Sequence, residues 1–562
     1  MAELIRKETF DAIVVGSGAS GGWAAKLLSE AGMKVALVDA GRPLPDSEFC
    51  EHEPAFKLKY RNRAPEVLAK TRFIQMHSGA CTEFNYKWFC NDLEEPYTTT
   101  PGMPFYWKGR LRVTGGRTVV WGRQSYRFSD LDFKAASFDG YGVDWPLGYS
   151  DLEPYYDRVE EYVGITGMPE GVYELPDGHF QPPMGLTCAE VMMREQAQKK
   201  LGWRITLGRS ANITRPTNGR APCHYCGPCE RGCITHSYFN SSFTTVADAL
   251  KTGRCTHIPM AMVWKVLMDP QANRARGVLY VNRDTREVRE INGRIVILCA
   301  QALESVRVLF NSSTREHPNG LANSSGVLGH YLMDHLFGVS VHGELADAGA
   351  KPNINGPHRP DGIYVIRFRN TRNGPRSKDF IRGFGYQGGA GPHFSFGAAG
   401  YGEAYKRGVL DPVTSAGISG FGECLARWEN YVEPNPGVID KYGIPTLNIH
   451  MKFGENEAAM ARDIIESGTA ILEAAGAKNI RTQPHPQPPG SAIHEVGIAR
   501  MGNNPKTSVL NQFQQTHDVP NLFVMDGAGF PSSACQNPTL TIMALAVRSC
   551  DHLIGQLKRG EL

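Results

Sequence analysis

The sequence predicts an α/β fold, a Rossmann-like dinucleotide-binding domain carrying an inserted domain built on an antiparallel sheet. Three observations carry that prediction. Residues 10–40 read as strand, glycine-rich turn, helix and strand (FDAIVV, GSGASGG, WAAKLLSEAG, KVALVDAG), which is a βαβ unit. A second strand running into a turn, NLFVMDGAG (521–529), stands near the C-terminus, so one domain is assembled from both chain ends. Between them, residues 352–452 are rich in glycine and aromatics with alternating patterns, as an antiparallel sheet requires.

The elements follow in order. Residues 45–110 hold many aromatics, prolines and cysteines without clear periodicity and read as long loops packed over a site. A second glycine-rich stretch, RVTGGRTVVWGRQ, spans 112–124. The second half of WPLGYSDLEPYYDRVEEYVG (145–164) has helical spacing and leads into a loop-rich segment. Strand character returns over 255–311 (HIPMAMVWKVLMD, RARGVLYVN, GRIVILCA) and closes with the helix-like QALESVRVLFNS. In the alternating region ISGFGECLARWENYV and TLNIHMKF are the best strands, while the glycine-rich GGAGPHFSFGAAGYGE (388–403) reads as loop. NEAAMARDIIESGTAILEAAG (456–476) and TLTIMALAVRSCDHLIGQL (539–557) read as helices.

Composition narrows the function. The chain has 562 residues, enough for two to four domains at roughly 150 residues each. Its 60 Lys and Arg against 57 Asp and Glu leave a net charge of +3, so no global basic field marks a binder of nucleic acid or of a membrane surface. No run of about 18 apolar residues occurs, and the N-terminus passes from a charged segment straight into a strand. Neither a transmembrane helix nor a cleavable signal is therefore expected. The 61 glycines and 36 prolines, about 17% of the chain against an average of about 12%, suit a loop-rich enzyme. Of 13 cysteines, Cys223, Cys226, Cys229 and Cys233 fall within one short segment, and without an export signal a disulfide framework is not expected.

Gly16, Gly18 and Gly21 form GxGxxG between a strand and a helix, and the acidic Asp39 ends the next strand. The glycines permit a tight turn and the approach of a pyrophosphate to the helix N-terminus, and Asp39 can accept hydrogen bonds from an adenosine ribose. The fingerprint alone leaves FAD and NAD open. Its place at the N-terminus, together with the C-terminal strand-turn, favours FAD.

At this point the residues resemble a family, the glucose-methanol-choline (GMC) flavoprotein oxidoreductases, over nearly the whole chain. GSGASGG and VALVDAG look like the family's FAD fingerprint, and TGGRTVVWGRQSYR (114–127) is similar to its second flavin loop. AQALESVRVLFNSS (300–313) resembles a later helix motif, with Gln301 and Val306 in place of the usual Gly and Pro, and VLGHYLMDH (327–335) is similar to a segment ending in Asp-His. HEVGIARMG (494–502) and DGAGFPSSACQNPTLTIMALA (526–546) match the two blocks around the flavin ring.

The resemblance implies an FAD-binding Rossmann-like domain in three parts (1–145, 255–345 and 481–562). A helical and loop segment (146–254) and a substrate-binding domain (346–480) stand between them. It implies cofactor contacts at Gly16, Gly18, Gly21, Asp39, Gly115, Gly116, Thr118, Trp121, Gly122, Val263, Asp526, Gly527, Asn537 and Thr539, with Arg123 and Gln124 as weaker candidates. With no histidine in GGRTVVWG, a covalent flavin link there is not expected. Hydride transfer from an alcohol to flavin N5 needs a base for the hydroxyl proton and a polar group to orient the oxygen. By resemblance His494 is that base and Asn537 its partner. A neutral imidazole suits the task because its ordinary pKa lies near neutrality, whereas Asn537, preceding Pro538, could also serve as a helix N-cap.

The segment APCHYCGPCERGC spaces its thiols as CxxCxxCxxxC. Structural zinc sites use two separated pairs so that four ligands converge without strain. Four cysteines in one loop instead resemble ferredoxin spacing, although Ile234 stands where ferredoxins have Pro, which favours an iron–sulfur cluster over zinc. Within the family such loops mark the flavoprotein subunits of gluconate, fructose and glucose dehydrogenases. That resemblance implies a 3Fe-4S cluster on Cys229, Cys233 and either Cys223 or Cys226, with 4Fe-4S open to four thiols.

The function implied is an FAD-dependent dehydrogenase, oxidising a hydroxyl of a sugar, glycoside or sugar acid and releasing electrons through the cluster to a cytochrome or quinone. The alternative within enzymes is a pyranose-oxidase-like sugar oxidase using O2, and outside them an electron-transfer subunit that has lost catalysis. Relatives of this kind associate with a small twin-arginine-exported partner and a multihaem cytochrome c. Periplasmic residence by way of such a partner is therefore expected slightly ahead of a cytoplasmic one.

Overall fold

The computed structural model describes residues 9–59, 65–345, 359–393, 400–410 and 413–562. The charged N-terminal segment and positions 394–399 of the expected glycine-rich loop lie outside the described residues.

β1 (Thr9–Val15), α1 (Ala19–Glu30) and β2 (Val35–Val38) form the expected βαβ unit. β1 lies parallel between β2 and Val288–Leu298, pairing Ala12 with Val35 on one side and Val15 with Leu298 on the other. Cys255–Ile258 extends the sheet beyond β2, and Leu522–Val524 runs parallel to the end of Val288–Leu298. The antiparallel strands Ala261–Asp269 and Arg274–Asn282 complete seven. Parallel strands covered on both faces must be apolar throughout, and every residue of β2 is buried. Trp23 and Leu28 of α1, Leu303 of Ala302–Asn311 and Leu545 of Thr539–Lys558 are buried in the same core. Each such aliphatic side chain contributes about 1.5–3 kcal/mol by leaving water.

A second sheet has six antiparallel strands, in the order Lys478–Gln483, Ser340–Leu345, Val413–Gly422, Phe384–His393, Ile363–Val365 and Ile205–Leu207. The helices Glu455–Ala474 and Cys188–Leu201 pack on it around Met193, Met460 and Ile464. A small third sheet joins Tyr431–Ile439, Pro445–His450 and Thr98–Thr99.

Two expectations are corrected. Gly388 to His393 form part of the strand Phe384–His393 rather than a loop. A Cβ on Gly388 would stand 2.0 Å from the Gly417 carbonyl oxygen, and one on Gly362 would stand 1.7 Å from that of Gly388. Glycine is therefore required here by close backbone approach, not by a turn. ISGFGECLARWENYV is not one strand: pairing stops at Gly422 and resumes at Tyr431 in a different sheet. Between them the backbone is held from outside, as where the Glu457 carboxylate accepts the Leu425 N–H. The helix Cys188–Leu201, opened by a Thr187–Glu190 capping box, has too weak an amphipathic pattern to stand out in the sequence.

Candidate active site and cysteine loop

A cavity of about 220 Å³ runs from the β1–α1 turn to the C-terminal blocks. At its first end Gly16 adopts φ +99°, and a Cβ there would meet the Cys299 carbonyl oxygen at 2.4 Å. Gly21 packs against Gly16 so closely that a Cβ would stand 1.8 Å from its oxygen. Gly18 has nothing within 4 Å of an added Cβ, so its open face is the part of the cradle available to a ligand. The Asp39 carboxylate at the end of β2 accepts the N–H groups of Ser17 (2.7 Å) and Gly41 (2.5 Å), which ties the turn to the strand.

The second glycine-rich loop closes over the first. Gly115 N–H donates to Ser17 Oγ at 2.8 Å, and Thr118 Oγ1 donates to the Gly115 carbonyl at 2.6 Å. Gly16, Gly18, Asp39, Gly116, Thr118, Trp121, Val263, Asp526, Gly527 and Thr539 all line the cavity. Gly21, Gly115, Gly122 and Asn537 do not, Gly21 and Gly115 acting through packing and Gly122 being exposed. Asp526 accepts from Ser305 Oγ (2.5 Å) and Ala528 N–H (2.9 Å), and burial pushes its pKa up to about 6. Gln301, at φ +84°, sets its buried Oε1 without a hydrogen-bond partner in the cavity wall.

His494 lines the far end. It follows Ile493, a β-branched residue at φ +63°, where a left-handed backbone is strained. That conformation is held by Asp334, whose carboxylate accepts the N–H groups of Gly490 (2.7 Å), Ala492 (3.1 Å) and His494 (3.0 Å). Burial and the neighbouring Glu495 raise the Asp334 pKa to about 7, against the pull of those donors. Burial, with His335 and Arg117 nearby, lowers the His494 pKa well below 6.5, so its imidazole is neutral. Its Nδ1 lies 2.7 Å from His335 Nδ1, and its Nε2 lies 3.3 Å from Asn537 Nδ2. Asn537 does not cap the last helix: Pro538 occupies that position, and the Asn537 amide is turned sideways, accepting from Gln387 Nε2 at 2.5 Å.

Sequence reasoning missed several members of this site. Arg117 pairs with the buried Glu495 through contacts of 2.6 and 3.0 Å, and Gln301 reaches the same carboxylate at 3.3 Å. Both charged residues sit inside the motifs that were recognised, and their adjacency in those motifs is the available signal. Gln387 has no such signal, because it comes from the antiparallel sheet.

The four loop cysteines are held together without converging. Tyr225, Gly227, Gly232 and His236 all have positive φ, which coils the segment. The coil is anchored by Glu51, which accepts the Ile234 N–H at 2.6 Å, and by Asn85, which donates to the Glu230 carbonyl at 2.8 Å. Cys229 and Cys233 are buried, Cys223 and Cys226 half-buried. Burial raises the pKa of Cys226 to about 12 and of Cys229 to about 11, and each thiol lies within electrostatic reach of others in the set. Among the described residues no three of these thiols lie within 4.8 Å of one another. Four thiolates on one zinc ion at 2.3 Å would stand about 3.8 Å apart, so the arrangement does not fit a mononuclear site, and no clear cluster site is formed. Cys226 falls instead beside His52 and His224. Those rings meet nearly head-on, with Nε2 atoms 2.5 Å and centroids 4.7 Å apart, the geometry of a shared N–H···N bond rather than of two lone pairs aimed at an ion. The loop packs behind the second glycine-rich loop: Tyr238 O–H donates to the Val119 carbonyl at 2.6 Å, Trp121 Nε1 to that of Phe239 at 2.8 Å, and Arg123 faces Cys229.

Two family models, both described as GMC oxidoreductase, match residues 10–337 and 427–546. The chain is 30% identical to a 2-methyl-1,2-propanediol dehydrogenase of Mycolicibacterium austroafricanum, covering 97% of this chain and 95% of that one. It is 27% identical to a fructose dehydrogenase large subunit of Gluconobacter japonicus, covering 98% of each. A solved structure, pyridoxine 4-oxidase from Mesorbium loti, superimposes with a TM-score of 0.62 at 18% identity over 96% of this chain and 98% of its own, a likeness of fold.

Proposed function

The chain belongs to the GMC oxidoreductase family, and from that premise we propose that it is an FAD-dependent dehydrogenase oxidising a hydroxyl of a sugar, glycoside, sugar acid or small polyol to a carbonyl. Membership of the family implies FAD. The cavity fits it, since the open face of Gly18, the Asp39 carboxylate and the unpartnered Gln301 Oε1 suit a pyrophosphate, a ribose and a polar ring edge respectively. When bound, FAD supplies the hydride acceptor.

One observation carries the reading: a neutral His494 presents Nε2 beside the Asn537 amide at the end of the cavity. His494 Nε2 takes the hydroxyl proton of the substrate, and Asn537 Nδ2 holds the substrate oxygen in place by donating to it. Asp334 keeps the strained 490–494 backbone from relaxing, so the base stays in register with the cavity. The substrate classes follow the names of the relatives, a diol and a sugar dehydrogenase. Anaerobic mixing with a panel of sugars, sugar acids and short diols, followed through flavin absorbance, tests the proposal. Absence of bleaching with every member sinks it.

An iron–sulfur cluster on Cys229, Cys233 and Cys223 or Cys226 would supply a one-electron exit from a two-electron flavin. The burial of two of these thiols behind the flavin loop supports it. A small exported partner, a cytochrome c acceptor and periplasmic residence complete this reading, supported by a relative that is named as the large subunit of its enzyme. The protein contacts that hold the loop, from Glu51, Asn85 and Val119, suit a second reading, an oxidase with structural cysteines that returns electrons to O2. Oxygen uptake matching turnover with artificial acceptors selects the second; iron and sulfide at cluster stoichiometry in anaerobically purified protein selects the first.

A further inference from the structure

His335 does not itself line the cavity but stands behind His494, and the hydrogen bonds around it admit only one direction. The Ala534 carbonyl oxygen can only accept, so His335 Nε2, 2.9 Å away, carries the hydrogen. His335 is fully buried and neutral, so its Nδ1 is a bare lone pair. His494 Nδ1, 2.7 Å from that lone pair, must then be the donor. A neutral imidazole carries one hydrogen, so His494 Nε2 is left bare, on the side facing Asn537. From the opposite end Gln387 donates to Asn537 Oδ1, which turns the Asn537 N–H groups toward His494 Nε2.

We propose that His335 is a positioning residue that locks the tautomer of His494, reserving Nε2 as proton acceptor through the line Ala534 C=O, His335, His494. The inference rests on the reading of His494 as the base. The other tautomer of His494 would set two bare Nδ1 lone pairs against each other at 2.7 Å and place a hydrogen on Nε2, where it could neither take a proton nor accept from Asn537. The neighbouring Asp334 complements this: its carboxylate positions the His494 backbone while His335 orients the ring. The Asp-His pair thus controls both the place and the protonation of the base.

The test compares His335→Leu, which fills space without hydrogen bonds, with His335→Gln, whose amide offers one acceptor and one donor. In anaerobic flavin reduction, with FAD content checked by absorbance, the leucine variant loses about tenfold to a hundredfold in kcat while KM stays within about threefold, and the glutamine variant recovers most of the loss. A second readout does not depend on turnover. In 15N-histidine NMR of the holoprotein, the His494 signals, identified by their absence in His494→Ala, show a protonated Nδ1 and a bare Nε2, and in His335→Leu a mixture of tautomers. Wild-type kcat in His335→Leu, or a protonated Nε2 in the wild type, overturns the lock. Wild-type kcat in His494→Ala overturns the base assignment instead, and the NMR result then judges the tautomer on its own. If the leucine variant fails to fold, the wild-type NMR and the glutamine variant decide.

Discussion

The cleft around His494 and the loop of Cys223 to Cys233 treat their reactive groups in opposite ways. In the cleft, both nitrogens of His494, both nitrogens of His335 and both ends of the Asn537 amide already have partners, supplied by protein alone. In the loop, the backbone is anchored from Glu51 and Asn85, but the thiols do not converge on one point, and burial holds those of Cys226 and Cys229 protonated. The difference teaches which site is pre-organised. A base must be oriented before its substrate arrives, whereas thiols become ligands only on losing protons to a metal.

The largest effect that would break this comparison is expected at His494. His494→Ala lowers the rate of flavin reduction by about two to four orders of magnitude while FAD stays bound, read by anaerobic stopped-flow absorbance. A loss below about tenfold would mean that the cleft is not the reacting site.

Acid comes next. Both cleft histidines have folded pKa values below the ordinary 6.5, with His335 lowered to about 4 by burial. The unfolded chain therefore binds their protons first, and stability present above pH 6.5 is lost as pH falls toward 4. For His335 alone this amounts to about 3 kcal/mol, each pH unit being worth about 1.4 kcal/mol. Tm measured from pH 7 to 4 should fall steeply, and less so in His335→Leu. The loop has the reverse sign. Its thiol pKa values are raised to about 11 and 12, so stability present below the ordinary thiol value is lost as pH rises through that range. A bound metal, which holds the thiolates, would remove that alkaline loss.

A smaller effect falls on Glu495, fully buried against the partly exposed Arg117. Glu495→Gln should cost about 2 kcal/mol, less than a fully buried pair because solvent compensates Arg117, measured as the shift in denaturant midpoint. Flavin affinity should fall with it, since both residues line the cavity. The smallest effect is expected at Cys229. Cys229→Ser leaves reduction of the flavin by substrate within about twofold and slows only the transfer to an external acceptor, as an electron relay requires. Equal damage to both half-reactions would make the loop structural and align it with the cleft.

The cleft was also far more legible than the loop. GxGxxG, Asp39 and the C-terminal blocks each carry local signals that the folded chain brings to one cavity. His335 lay in a motif that was recognised, but its direction of hydrogen bonding depends on Ala534, nearly two hundred residues away. Gln387 could not be read, because it sits in a strand whose glycines look like loop. The cysteine spacing is plain in the sequence, while the coiling of the segment depends on positive-φ turns at Tyr225, Gly227 and Gly232 and on the packing of Phe49 against Gly232.

By itself the sequence determined the βαβ unit, the family and a histidine and an asparagine that the fold brings side by side. These rest on local chemistry: apolar runs that must be buried on both faces, and glycines that must let a backbone come close. Only the tertiary structure decided which nitrogen of His494 carries the hydrogen, what the Asn537 amide faces, and where the four thiols lie. Hydrogen-bond direction and ligand convergence are set by partners distant in the chain, and no local pattern records where those partners stand.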